Sequence, residues 1–155
     1  GQLWIAGQSW RRRRQPPHRR LRHRLPPARK FEGALPRTIY QLIVLTVART
    51  TGAGFEWHDH IEHARAAGLP PDVIDCIASA RNESLPQPYA LVHAIVTKTM
   101  AWQLVPDDLQ TRAAAKWGKH GVVEIVVLSG FYQMFAAINQ GFGIGLPDAV
   151  GRKSD

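Results

Sequence analysis

The sequence predicts an all-α protein with about six helices, and three observations support that prediction. From residue 35 onward, apolar side chains recur at the spacing of an amphipathic helix, as Ile39, Leu42, Ile43 and Val47 show. Proline and glycine residues divide the chain into blocks of helical length. No segment shows the sustained alternation of apolar and polar residues that is typical of a half-buried strand.

Each predicted helix is delimited by residues that favour a helix start or end. Pro36, Pro71 and Pro106 are placed where a helix can begin, because the first turn needs no N–H donor. Gly52 and Gly68 are placed where a left-handed C-cap can end one. The helices are expected at about 36–52, 55–67, 73–78, 89–103, 106–116 and 121–139.

The sixth predicted helix is the most apolar segment of the chain. Residues 122–128 fit a buried strand by residue type, but their continuation into 131–140 favours one long helix. Such a helix is apolar around most of its circumference, and the rest of the domain offers limited surface to bury it. We therefore expect a second subunit to cover part of it.

Composition narrows the class of protein. The 155 residues, 45% of them apolar, suffice for one packed domain. The single cysteine, Cys76, excludes an intrachain disulfide and a Cys-x-x-Cys redox pair, and nothing indicates secretion. No apolar run reaches the roughly 18 residues of a membrane span, so we expect a cytoplasmic protein without a membrane partner.

The positive charge is confined to a leader. The chain has 20 Lys and Arg against 12 Asp and Glu, yet residues 1–30 contain half of these basic residues and no acid. Residues 31–155 are therefore close to neutral and form the predicted domain. A solvated tail, an arm for nucleic acid or anionic lipid, and a non-native N-terminus all remain open for the leader.

A dense polar cluster at residues 54–63 is the main candidate site. Glu56, His60 and His63 follow one another at i, i+4 and i+7, so they share a helix face. The other polar side chains of the cluster are expected to point elsewhere: His58, Asp59 and Glu62.

Three interpretations of this cluster remain open. A histidine beside a carboxylate can transfer protons near neutral pH, and the neighbouring Phe55 and Trp57 can exclude water from it. The same three side chains can bind a metal ion, although their spacing is no known zinc signature and we expect no metal. The third interpretation is a solvated charged face.

Further polar residues within apolar helices are His93, Tyr132 and Asn139, of which the last two share a face.

Several motifs, in order, are similar to those of one family. They are Tyr40–Arg49, Phe55-Glu-Trp-x-x-His60, Ala64–Gly68 and Gly121–Tyr132, with Asn139 and Leu146-Pro147. Together these motifs resemble the carboxymuconolactone decarboxylase-like group, and the resemblance extends over about residues 33–148. Residues 1–30 do not resemble this group. The resemblance implies an alkylhydroperoxidase D-like helical bundle, assembled as trimers or hexamers, with its site on the histidine-bearing helix near subunit contacts.

The chain departs from the peroxidase branch of this superfamily. That branch has Cys-x-x-Cys-x-x-x-His with a Glu twelve residues before the first Cys. The two Cys positions correspond to Ala53 and Glu56, the His to His60 and the upstream Glu to Gln41. Thiol-based peroxide reduction needs a low-pKa thiolate and a resolving thiol, so we do not expect it.

The resemblance instead implies decarboxylase-like chemistry without a cofactor. The expected activity is that of a lyase or proton-transfer enzyme on a small organic acid or lactone, with His60 as acid/base, Glu56 tuning it and Tyr132 as donor. Arg49 is the expected carboxylate anchor. The full set of substrate-binding positions expected is Arg49, Trp57, His93 and Asn139. The alternative is a non-catalytic helical oligomer whose leader binds an acidic partner, and nucleic acid is expected only through that leader.

Overall fold

The computed structural model describes residues 33–144 and confirms the all-α prediction. Its helices are α1 (Arg37–Thr51), α2 (Gly54–Ala66), α3 (Pro71–Ala78), α4 (Tyr89–Met100) and α5 (Asp107–Gly141), with a 3-10 turn at Asn82–Ser84. No strand occurs between residues 33 and 144. The predicted leader and the Leu146-Pro147 motif lie outside the described residues.

Most helix boundaries match the prolines and glycines that predicted them. Pro36, Pro70 and Pro106 each immediately precede a helix. Gly52 adopts a left-handed φ of 70° and its N–H donates to the carbonyl of Ala48, which closes α1. The clearest difference is α4, which ends at Met100 instead of about 103 and is followed by Trp102 at a φ of 57°.

The fifth and sixth predicted helices form one 35-residue span with an internal break. Gly118 within α5 has φ 69° and ψ 174°, a conformation that is essentially restricted to glycine. The break separates an N-terminal arm, 107–117, from a C-terminal arm, 119–141. The sequence therefore predicted the two helical segments, while the single residue that separates them emerges only from the backbone.

The central element of the fold is α1, which contacts α2, α3, α4 and α5. Its residues 41–48 are all buried, including the polar side chains of Gln41 and Thr46. Aliphatic side chains of the other helices pack around it, which gives one continuous core. Since both α2 and the C-terminal arm of α5 pack on α1, this helix fixes where the candidate site residues of α2 and α5 lie.

One face of the C-terminal arm of α5 is not covered by the described part of the chain. Five apolar side chains along it are 40–60% exposed, and their spacing of three or four residues places them on one helix face. We call them the α5 stripe: Val123, Val127, Phe131, Met134 and Ile138. By length and mean hydropathy alone, α5 also meets the criteria for a membrane-crossing helix. The sequence did not predict this, because none of its unbroken apolar runs is long enough to span a membrane. Core and interface helices of soluble proteins share those properties.

Candidate functional site

Side chains of α2 and of the C-terminal arm of α5 line a cavity of about 230 Å³. Half of its lining is aromatic: Phe55, Phe131, Tyr132 and Phe135. The other half is polar: Glu56, Asp59, His60 and Asn139. The structure thus brings together His60, Glu56, Tyr132 and Asn139, four residues that the sequence analysis singled out on two distant helices.

The turn at Gly52 places α2 against the central helix. Because Gly52 is left-handed and the N–H of Ala53 also donates to the carbonyl of Ala48, the chain reverses within two residues. The helix that follows packs on α1, and His60 lies beside Gln41. The position of the imidazole is therefore determined by a tight turn and a buried partner.

His60 is held by a neutral hydrogen-bond acceptor. Its Nδ1 lies 3.0 Å from Oε1 of Gln41, a side chain that is 1% exposed. Since that oxygen can only accept, Nδ1 carries the proton and the Nε2 lone pair remains available. Burial lowers the pKa of His60 below its usual 6.5, and the nearby Asp59 carboxylate opposes this effect only in part. His60 is therefore a neutral base at pH 7.

Asp59 belongs to the site, and the expectation that it points elsewhere is wrong. Its Oδ2 lies 3.7 Å from Nε2 of His60, and it lines the same cavity. The reason is helical geometry, because Asp59 is three residues from Glu56 and i, i+3 side chains share a face. Its side chain is 59% exposed, so Asp59 forms the solvent side of the cavity.

Tyr132 provides a phenol at the other side of the imidazole. Its ring meets that of His60 edge to face at a centroid distance of 5.3 Å, and its hydroxyl is hydrogen-bonded to that of Tyr40. Burial, followed by the hydrogen bond with the Tyr40 hydroxyl, raises the pKa of Tyr132 well above its usual value. The phenol therefore stays protonated and can donate.

Glu56 is the most deeply buried carboxylate at the site. It is 5% exposed, and its Oε1 accepts a hydrogen bond from Nδ2 of Asn139. Its Oε2 is buried and has no hydrogen-bond partner in residues 33–144. Burying a carboxylate oxygen without a donor is costly, so the Glu56 carboxylate, which lines the cavity, is suited to gaining a donor from a ligand.

Three predicted substrate-binding residues lie away from this cavity. Arg49 and Trp57 line a separate cavity of about 310 Å³, where Nε of Arg49 donates to the carbonyl of Ala78 at 2.9 Å. His93 lies on α4, where burial lowers its pKa, and it lines neither cavity. The structure does not combine the expected carboxylate anchor with the expected base.

The metal interpretation of the cluster has little geometric support. His63 is exposed, and its ring is 5.9 Å from that of His60, measured between centroids. Within the described range, no three His, Cys, Asp or Glu side chains are grouped as ligands of a metal ion. Glu56, His60 and His63 therefore share a helix face without forming a shared ligand set.

Sequence reasoning missed several contributors to the site. Gln41 was noted only as the loss of a glutamate, yet it orients His60. The Tyr40 contact with Tyr132 spans 92 positions of the chain, and no local pattern indicates it. Phe131 and Phe135 were considered only as part of an apolar helix, although their four-residue spacing beside Tyr132 was a usable signal.

Replacing Gln41 by glutamate should raise the pKa of His60. A carboxylate 3 Å from Nδ1 favours the imidazolium, so we expect an upward change of about one pH unit or more for Gln41→Glu. The measurement is a proton NMR titration of the imidazole C–H signals. The control, Gln103→Glu at an exposed position after α4, should leave that titration unchanged. An unaltered His60 titration in Gln41→Glu would mean that the two side chains are not in contact.

Comparison with known proteins gives a match to the model of one family. The model of the carboxymuconolactone decarboxylase family matches residues 20–83, which confirms the resemblance for the motifs within that range. The matched region begins inside the predicted leader and includes Gln41, Glu56 and His60, whereas Tyr132 and Asn139 follow it. No curated protein matches the chain, and no solved structure does.

Proposed function

We propose that this chain, whose residues 20–83 match the model of the carboxymuconolactone decarboxylase family, is a cofactor-free proton-transfer enzyme or lyase. The observation that carries the proposal is the shared cavity, in which a neutral imidazole, a buried carboxylate and a protonated phenol face the same space. His60 is the acid/base group in this proposal, as the sequence predicted.

His60 would act through Nε2. The neutral ring takes a proton from an acidic C–H of the substrate, and the hydrogen bond to Gln41 stabilises the imidazolium that forms. In a decarboxylation, the bond to the carboxylate breaks, carbon dioxide leaves, and its electron pair enters the conjugated enolate. Decarboxylation consumes one proton, so the ring takes a proton from solvent, delivers it to the carbon that lost the carboxylate, and returns to its neutral form.

Tyr132 would stabilise the oxyanion of that enolate. Its raised pKa keeps the phenol protonated at neutral pH, so it can donate to the oxygen on which charge develops. When Tyr132 donates to the substrate, the Tyr40 hydroxyl can become the donor of the bond between the two phenols, which holds Tyr132 in place and shares the charge.

The charge of the cavity bears on the substrate class. The sequence predicts a small organic acid or lactone, but this cavity has two carboxylates and no Lys or Arg among its described lining residues. A substrate carboxylate placed there would meet repulsion without a cationic partner. The lining therefore favours a lactone without a carboxylate, and with it proton transfer over decarboxylation, which needs a substrate carboxylate.

Peroxide reduction remains disfavoured by the residues present. Ala53 and Glu56 occupy the two thiol positions of the peroxidase branch. Cys76, the free cysteine of α3, is buried in the core and lines neither of the two cavities described above. A buried thiol in apolar surroundings is a poor nucleophile.

We also propose that the protein is a homo-oligomer, a trimer or hexamer, in the cytoplasm. The α5 stripe supports an assembly, because five neighbouring apolar side chains are 40–60% exposed on one helix face. Phe131 belongs both to the stripe and to the cavity lining, so a second copy on the stripe would lie beside the site. The alternative of a leader that binds an acidic partner concerns residues outside the described part and stays a prediction.

Proton exchange tests the proposed activity without requiring the whole reaction. Small lactones and their ring-opened acids are incubated with the protein in deuterium oxide, and NMR follows loss of the acidic C–H signal. We expect exchange proportional to protein concentration, with a rate that rises with pH through a midpoint below 6.5, because the neutral imidazole is the base. Free imidazole at equal concentration is the control. Exchange no faster than this control, or a rate that falls across that pH range, would contradict the proposal.

A further inference from the structure

We propose that the ligand of the His60 cavity carries a protonated amine, and that this ammonium group pairs with the Glu56 carboxylate beside the surrounding aromatic rings. The inference rests on the proposed function for the role of the cavity and narrows its substrate class. The substrate would then be a carbon acid, such as a lactone or another carbonyl compound, that also bears an ammonium group.

The first argument is the unsatisfied oxygen. Glu56 is 5% exposed, and Asn139 satisfies only its Oε1, while Oε2 is buried without a donor from residues 33–144. An ammonium group offers three donors and the opposite charge, so it meets both requirements of a buried carboxylate at once. A ligand carboxylate offers neither.

The second argument is the balance of charge around the cavity. Asp59 adds a second carboxylate at the solvent side, and no Lys or Arg is among the described residues that line the cavity. Arg37 lies nearby, but its guanidinium is directed over the Tyr40 ring at 5.1 Å from the centroid. With a neutral imidazole between the two carboxylates, the space is electronegative and favours a cation.

The third argument is the aromatic half of the lining. The ring of Phe131 lies 4.8 Å from that of Phe135 and 5.5 Å from that of Tyr132, measured between centroids. The rings thus form a continuous wall beside the carboxylates. Aromatic faces attract ammonium groups and also accommodate an apolar ligand body. A site that combines carboxylates with neighbouring aromatic rings is expected to bind organic cations more tightly than neutral or anionic analogues.

A matched ligand series tests the charge preference directly. Benzylamine, benzyl alcohol and benzoate share one apolar body and differ in charge at neutral pH, and calorimetry with the full 155-residue chain gives each affinity. We expect benzylamine to bind on the order of tenfold more tightly than benzyl alcohol, and benzoate to bind most weakly. Equal or tighter binding of the alcohol or of benzoate would overturn the proposal, as would no benzylamine binding up to roughly 10 mM.

Variants assign the preference to Glu56. Glu56→Gln keeps an oxygen that can accept from Asn139, so the cavity should persist, and benzyl alcohol should bind as before. Its benzylamine affinity should fall by about tenfold. Glu62→Gln, on the exposed face of α2 where Glu62 pairs with Arg65, should change neither affinity. A Glu56→Gln variant with the wild-type preference for benzylamine would refute the role of this carboxylate.

The proposal and the proposed function fail in different ways. A His60→Ala variant that loses proton exchange but still prefers benzylamine supports both. If the wild type prefers benzylamine but catalyses no proton exchange, the cavity is a cation-binding site and the proposed enzymatic function is wrong. If the wild type catalyses proton exchange but prefers benzyl alcohol, the proposed enzymatic function is supported and the amine-bearing ligand is refuted.

Discussion

Replacing His60 by alanine is expected to slow proton exchange by about 100-fold or more, because general base catalysis typically contributes 10²–10⁴-fold. The imidazole is the group in the cavity that combines a free lone pair with a lowered pKa. The remaining carboxylates are weaker bases, so they should recover little of the loss. The rate is measured by NMR in deuterium oxide at neutral pH.

The matched control for this variant lies on the same helix. His63 follows His60 by three residues, is exposed and does not line the cavity. His63→Ala should therefore retain exchange within about twofold, since surface substitutions away from the site have small effects. A His60→Ala protein that exchanges at the wild-type rate would show that the base is another group.

Val127→Glu is expected to dissociate the proposed assembly. Val127 lies in the middle of the α5 stripe and is 59% exposed. If a second copy covers the stripe, an unpaired carboxylate buried there costs several kcal/mol, which weakens association by about 100-fold or more. Light scattering coupled to size-exclusion chromatography should show trimers or hexamers for the wild type and monomers for Val127→Glu.

The control for this variant introduces the same side chain elsewhere on α5. Lys116 is exposed on the N-terminal arm, outside the stripe, so Lys116→Glu should preserve the assembly. Val127→Glu molecules of wild-type size, or a monomeric wild type, would exclude the stripe as the contact between copies.

The fold was predictable because its boundaries depend on local chemistry. Pro36 and Pro106 lack an N–H and favour the first turn of a helix, while Gly52 can adopt the left-handed conformation that ends one. These preferences act within a few residues, so the sequence displays them. The observed end of α4 differs from the predicted one, because no glycine or proline directly follows Met100.

The site was predictable only along single helices. The periodicity of α2 placed Glu56 and His60 on one face, and that of α5 placed Tyr132 and Asn139 on another. That the two faces meet depends on how both helices pack on α1, which no local pattern encodes. Arg49 is one of the three predicted residues that do not join this site, because the carbonyl of Ala78 at the end of α3 holds its side chain at a different cavity.

The tautomer and pKa of His60 test the central claim most directly, since they require no knowledge of the substrate. Nitrogen-15 NMR of the imidazole reports which ring nitrogen carries the proton and at what pH the ring titrates. We predict a proton on Nδ1, facing Gln41, and a pKa below 6.5. A neutral ring protonated on Nε2, or a pKa above that value, would contradict the assignment of His60 as the base.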